Sequence, residues 1–148
     1  MSDIHQPRIG FVCAYTPLPL IEAADCAPYR VLPTGEWPDQ AGRILHDNLC
    51  PHVKRIVDRA LAGDLPDDII GMVFMNSCDT MRRAADAWRK ILPNQHVVLV
   101  DLPITIDEAS IDYFAGELAG MQIISTYCTL FCYSAASGGM SSIVSIHL

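Results

Sequence analysis

Ile69-Ile70-Gly71-Met72-Val73-Phe74-Met75-Asn76-Ser77-Cys78-Asp79-Thr80-Met81-Arg82-Arg83 is the stretch that decides the fold. Its first seven residues form an unbroken apolar run, the pattern of a strand buried on both faces. Asn76-Ser77-Cys78-Asp79 then turns the chain into a helix expected over 80–92, which Pro93 ends. A cysteine thus stands where a strand hands over to a helix.

The same alternation continues in both directions. Upstream, Pro51 opens a helix expected over 51–62. Val53, Ile56, Val57, Ala60 and Leu61 recur at helical spacing, with Lys54, Arg55, Asp58 and Arg59 between them. Gly63 stops it. Earlier still, Arg8-Ile9-Gly10-Phe11-Val12-Cys13-Ala14-Tyr15 reads as a buried first strand. Thr16 can cap and Pro17 can begin a short helix reaching about residue 25, and 29–32 is a second strand. Gly and Pro make 33–38 a loop. Downstream, 96–102 is another apolar strand, and 107–118 is a helix with acidic residues in its first turns. Strands alternating with helices specify an α/β fold: a Rossmann-like parallel sheet flanked by helices, over residues 1–118.

Residues 119–148 differ in character. No charged residue occurs over 118–146, and the apolar run beginning at Met121 gives way to Ser, Gly and Ala. Ser, Thr and Gly dilute it too much for a membrane span, and no basic flank anchors it. The expectation is a buried strand, or an atypical tail produced by truncation or a shifted reading frame.

The 148 residues are 51% hydrophobic and carry a net charge of −7. That composition supports a packed core and argues against nucleic-acid binding, which needs clustered basic residues. The polar start of the chain has no leader-like apolar run, so a cytoplasmic protein is expected. In that reducing setting the six cysteines are read as free, metal-bound or catalytic thiols.

Open parallel sheets bind ligands at the carboxyl ends of their strands. Cys78 follows the strand 69–75, and Cys50 immediately precedes the helix begun by Pro51, so both belong to that edge. A helix N-terminus offers N–H groups and partial positive charge, which favour an anionic sulfur, the form that ligates iron or zinc. Spacing alone is a weak signal and favours two cysteines packed as small hydrophobes. Cys13 lies inside a strand and reads as core, although it could approach the crevice because that strand ends nearby at Tyr15 and Thr16; Cys26 sits in a loop, and Cys128 and Cys132 share a face if the tail is helical. His52, in the first turn after Pro51, could assist a thiolate. No GxGxxG or GxxxxGK[ST] motif occurs, so neither common nucleotide site is supported.

Four ordered segments carry a resemblance. They are Gly10-Phe11-Val12-Cys13-Ala14-Tyr15-Thr16-Pro17 with Leu20-Ile21-Glu22-Ala23-Ala24, then Asn48-Leu49-Cys50-Pro51-His52-Val53-Lys54. Val73 to Arg83 with Trp88 follows, and then Val100-Asp101-Leu102-Pro103. Together they resemble, over 8–118, the 2-hydroxyacyl-CoA dehydratase and benzoyl-CoA reductase family. The resemblance implies one lobe of a normally multi-lobed subunit of an oxygen-sensitive heterodimer from anaerobic metabolism. It implies a [4Fe-4S] cluster held by three cysteines, with Cys50 and Cys78 matching the first two ligand positions. It also implies a second dehydratase or reductase subunit, an ATP-dependent iron–sulfur activator protein and an acyl-CoA thioester as substrate. The activity implied is radical dehydration, a lyase reaction, or reduction. The family's third ligand comes from a second lobe that has no counterpart in this chain, and Cys128 and Cys132 match no family position. The other readings are an inactive α/β remnant or partner-binding module without a cluster, and a zinc site built from Cys50, Cys78 and His52.

Overall fold

The computed structural model describes residues 6–33 and 40–136. Most of the loop expected over 33–38, the polar start at 1–5 and the end of the tail lie outside the described residues. Four parallel strands form one sheet: β1 (Arg8–Phe11), β2 (Ala27–Arg30), β3 (Ile69–Met75) and β4 (His96–Val100), in the order β2-β1-β3-β4. The helices are α1 (Leu18–Glu22), α2 (Pro51–Ala62), α3 (Asp79–Ile91), α4 (Glu108–Gly120) and α5 (Ile123–Ala136), with a short 3-10 turn at Ala41–Arg43. The Rossmann-like α/β class expected from the sequence is the one observed.

Each face of the sheet has its own core. Met72 and Phe74 of β3 project toward α2 and α3, where they meet Ile56, Val57, Ala84 and Trp88. Val73 and Met75 project the other way, onto Ile21 of α1 and Ile124 and Cys128 of α5. Adjacent strand residues alternate between faces, so a strand buried on both sides is apolar throughout. Trp88 is fully buried and stands edge-on to Phe74, with ring centroids 5.7 Å apart. Its Nε1 donates to Gln95 Oε1 at 2.9 Å, and Gln95 Nε2 donates to the Ile69 carbonyl at 3.0 Å. This relay fixes the end of α3 against the start of β3.

Gly71 marks the one irregularity in the described ladders. Arg8 pairs with Ile69 but Ile9 with Gly71, so β3 carries an extra residue there. Gly71 also faces His96 so closely that a Cβ would lie 2.7 Å from the His96 carbonyl oxygen. Gly63 ends α2 in the left-handed conformation, with φ 68°, as its position after the last helical residue requires.

The long connection after β2 is fastened by a buried carboxylate. Asp58 Oδ1 accepts the Ala41 amide at 2.6 Å. Arg59 donates to the Leu32 carbonyl at 2.9 Å and pairs with Asp64 at 2.9 Å. This anchoring brings the chain back to begin α2 at the carboxyl edge of the sheet.

Two expectations are corrected. The segment after residue 120 is a helix, not a buried strand: Met121, Ile124 and Cys128, at helical spacing, are buried on the sheet. Cys26 and Cys128 are joined in a disulfide, so these two are not free thiols. Both are fully enclosed, at 0% and 2% exposure, and the packing of α5 over α1 brings them together. Among the described residues no helix is long and apolar enough to cross a membrane.

Candidate functional site

The strand order places a topological switch point between β1 and β3. The chain leaves β1 toward β2 on one side, and β3 and β4 lie on the other. Loops diverge there and open a crevice at the carboxyl ends of the strands, where ligands of such sheets bind. Cys13 follows β1 at this point, and Asn76-Ser77-Cys78 follows β3. Cys13 Sγ lies 3.5 Å from Ser77 Oγ across the gap.

Cys78 and Cys50 occupy equivalent positions. Each is the N-cap of its helix, α3 and α2 respectively, and each is exposed. The cap position usually carries Ser, Thr, Asp or Asn, whose oxygen accepts an amide of the first turn. Neither cysteine side chain makes such a bond. The backbone is still organised: the Cys78 carbonyl accepts from Met81 N at 3.1 Å, and the Cys50 carbonyl from Lys54 N at 3.1 Å. Both helices therefore begin with a soft sulfur where a hard oxygen is usual, at the positive end of the helix dipole.

One contact brings the two helix starts together. The Cys50 amide donates to Thr80 Oγ1 at 3.5 Å, and Thr80 lies in the first turn after Cys78. His52 is exposed in the first turn of α2. Among the described residues no three His, Cys, Asp or Glu side chains gather as a set of metal ligands. The zinc reading with Cys50, Cys78 and His52 therefore has no assembled site. Cys128, which shares a cysteine pair with Cys132 on the tail, is committed to Cys26 and offers no free thiol. The fit to a three-cysteine cluster is partial: two exposed thiols sit at helix N-termini on one edge, and a third is not gathered with them.

A polar row beside this edge has no counterpart among the sequence expectations. Asn76 Nδ2 donates to Asp101 Oδ1, Arg82 Nε donates to Asn76 Oδ1 at 3.3 Å, and Tyr113 OH donates to Asp101 Oδ2 at 3.2 Å. The Asp101 amide in turn donates to Glu117 Oε2 at 2.9 Å. Asn76, Asp101 and Tyr113 line part of an open cleft of about 500 Å³ at the ends of β3 and β4. Desolvation and the hydrogen bond and charge of Asp101 push the Tyr113 phenol above its ordinary value. The signal available in sequence is positional only: Asn76 and Asp101 each follow the last residue of a parallel strand.

The fold and edge define a class, an open parallel α/β lobe with exposed cysteines beside its switch-point crevice. Comparison with known families narrows it. The sequence model of the family described as 2-hydroxyglutaryl-CoA dehydratase, D-component, matches residues 13–124, and the chain belongs to that family. One of the subunits of the benzoyl-CoA reductase of Thauera aromatica is similar, 23% identical over 120 residues. The match covers 79% of this chain but 31% of that protein, so the chain spans about a third of its relative's length.

Proposed function

We propose that this chain is the N-terminal, iron–sulfur lobe of a 2-hydroxyacyl-CoA dehydratase or benzoyl-CoA reductase-type subunit, with Cys50 and Cys78 as two ligands of a [4Fe-4S] cluster. The observation that carries the reading is the pair of exposed, non-capping cysteines at two adjacent helix starts in a chain of this family. Thiolates are the ligands such clusters use, and nearby N–H donors tune them. When bound, the cluster supplies a low-potential electron to an acyl-CoA thioester.

The chain's own residues have definable tasks in this scheme. Cys50 and Cys78 present sulfur from rigid helix ends. Thr80, bonded to the Cys50 amide, keeps the two ends in register. Ser77, the neighbour of Cys78, offers a hydroxyl beside the crevice. The remaining ligand comes from polypeptide beyond this lobe, which ends near residue 118, with 119–148 as an appended segment. A second dehydratase or reductase subunit and an ATP-dependent iron–sulfur activator are the protein partners in this scheme, and the compartment is the cytoplasm.

Anaerobic reconstitution with ferrous iron and sulfide, in the presence of a small thiol to complete the ligand set, tests the reading. Bound iron and sulfur-to-iron charge-transfer absorption are expected in the unaltered chain and in Cys132→Ser, and are lost in Cys50→Ser and Cys78→Ser. Equal iron in all four proteins refutes the assignment. No iron in any of them supports the alternative, an α/β module that binds partners without a cluster.

A further inference from the structure

We propose that Cys26 and Cys128 form a reversible clasp that fastens α5 to the sheet, closed by a disulfide oxidant such as oxidised glutathione and opened by excess thiol. The proposal does not rest on the cluster reading and stands if that reading fails. It rests on four features of one face of the molecule.

First, the two sulfurs join elements 102 residues apart in sequence, from the turn after α1 to the middle of α5. A cross-link closing so long a loop restricts the unfolded and partly opened chain strongly. Second, among the described side chains α5 buries Ile124 and Cys128 against the sheet, with Met121 just before its start. Third, its side contact is a stack of Tyr127 on His96, with centroids 4.1 Å apart and planes at 20°. Fourth, Cys26 and Cys128 are both enclosed, so a thiol reaches the bond only after α5 lifts. Exchange at this site is therefore gated by the motion that the bond controls.

The chemistry balances without further reactants. One cysteine thiolate attacks oxidised glutathione, forming a mixed disulfide and releasing one reduced glutathione. The second cysteine attacks the protein sulfur of that mixed disulfide and releases another. Two protein thiols lose two electrons and two protons, and one glutathione disulfide becomes two thiols. Excess thiol runs the sequence backward.

Opening has a defined structural consequence. It frees α5 to leave Ile21, Ala24, Val73 and Met75, exposing part of the core on that face. Cys13 packs against both cores and contacts Ser77, so this core adjoins the carboxyl edge of the sheet.

The test equilibrates the full chain in oxidised or reduced glutathione and follows it by disulfide mapping with mass spectrometry and by amide hydrogen exchange. A peptide pair joined through Cys26 and Cys128 is expected in the oxidised chain, whatever glutathione the exposed Cys50 and Cys78 take up. After reduction that linked pair is expected to be gone and all six cysteines to react as thiols. Amides of α5 are expected to exchange at least about tenfold faster in the reduced chain, while β1 and β3 stay protected. A Cys26→Ala/Cys128→Ala chain is expected to match the reduced protein under both conditions. Absence of a Cys26–Cys128 linked peptide under oxidised glutathione overturns the proposal. So does exchange of α5 that is the same in both states.

Discussion

Gly71→Ala perturbs the sheet at the point where its register is most constrained. A Cβ on residue 71 would lie 2.7 Å from the His96 carbonyl oxygen, a backbone atom, and 3.4 Å from Ile9 Cδ1. Ordinary contact begins near 3.4 Å, so β3 and β4 must separate by about 0.7 Å at this point. That shift lengthens the neighbouring ladder bonds beyond useful hydrogen-bond range. Overpacking of this kind costs about 1–3 kcal/mol, and a lost ladder bond about 1 kcal/mol more. The alanine offsets about 0.5–1 kcal/mol by restricting the unfolded chain and favouring extended backbone. The net expectation is a loss of about 2 kcal/mol, which lowers the urea midpoint by about 1 M for a domain of this size. The assay is urea unfolding of the oxidised chain followed by far-ultraviolet circular dichroism. Gly63→Ala is the control, because nothing lies within 4 Å of the added methyl and only the left-handed φ of 68° resists it. It should lose about 1 kcal/mol. An unchanged or raised midpoint for Gly71→Ala refutes the pairing of residue 71 with His96, and with it the placement of the edge that follows β3.

Three further outcomes are expected. Trp88→Phe removes the donor to Gln95 and leaves a void in the core under α3, so it should cost about 2–3 kcal/mol in the same urea assay. Burial, and secondarily the charge of Arg89, hold His96 below its ordinary value of 6.5. The unfolded chain therefore binds this proton first as pH falls. Stability from this residue is fully present above 6.5, is lost as pH falls through it, and levels off once the folded imidazole also protonates. Melting temperatures across this range should drop for the unaltered chain and stay flatter for His96→Gln. Asp58→Ala strands the Ala41 amide in a buried site and should cost about 1–3 kcal/mol, measured by urea unfolding.

Much of the framework is legible in the sequence because its signals are local. Pro51 and Gly63 bracket α2 by fixing φ at one end and allowing a positive φ at the other, and the helix spans the expected residues. The seven-residue run of β3 has the expected bounds because it is buried on both faces. The second strand begins at Ala27, two residues before its expected start. That start is set by pairing with β1, Ala27 opposite Arg8, which no local pattern encodes. α1 ends at Glu22, three residues short of the expected end, and Asp25 takes a positive φ of 57° to turn into β2. The tail reads as strand-like because Ile, Thr and Tyr favour strands, yet burial of Met121, Ile124 and Cys128 at helical spacing decides the outcome.

The candidate site is legible only where chemistry and position coincide. Cys50 and Cys78 are visible as sulfurs beside helix starts. The polar row through Asn76, Asp101, Tyr113 and Arg82 is not, because it assembles residues from two strand ends and two helices. The Cys26–Cys128 pairing is equally hidden, since its partners are brought together only when α5 folds back over α1.

The most direct test treats the native chain with a short-arm bismaleimide under anaerobic, non-reducing conditions, followed by digestion and mass spectrometry. The account predicts a Cys50–Cys78 bridge as the main intramolecular product, since both thiols are exposed and their helix starts are bonded through Thr80. Single-ended adducts on both residues, with no peptide joining them, would contradict it.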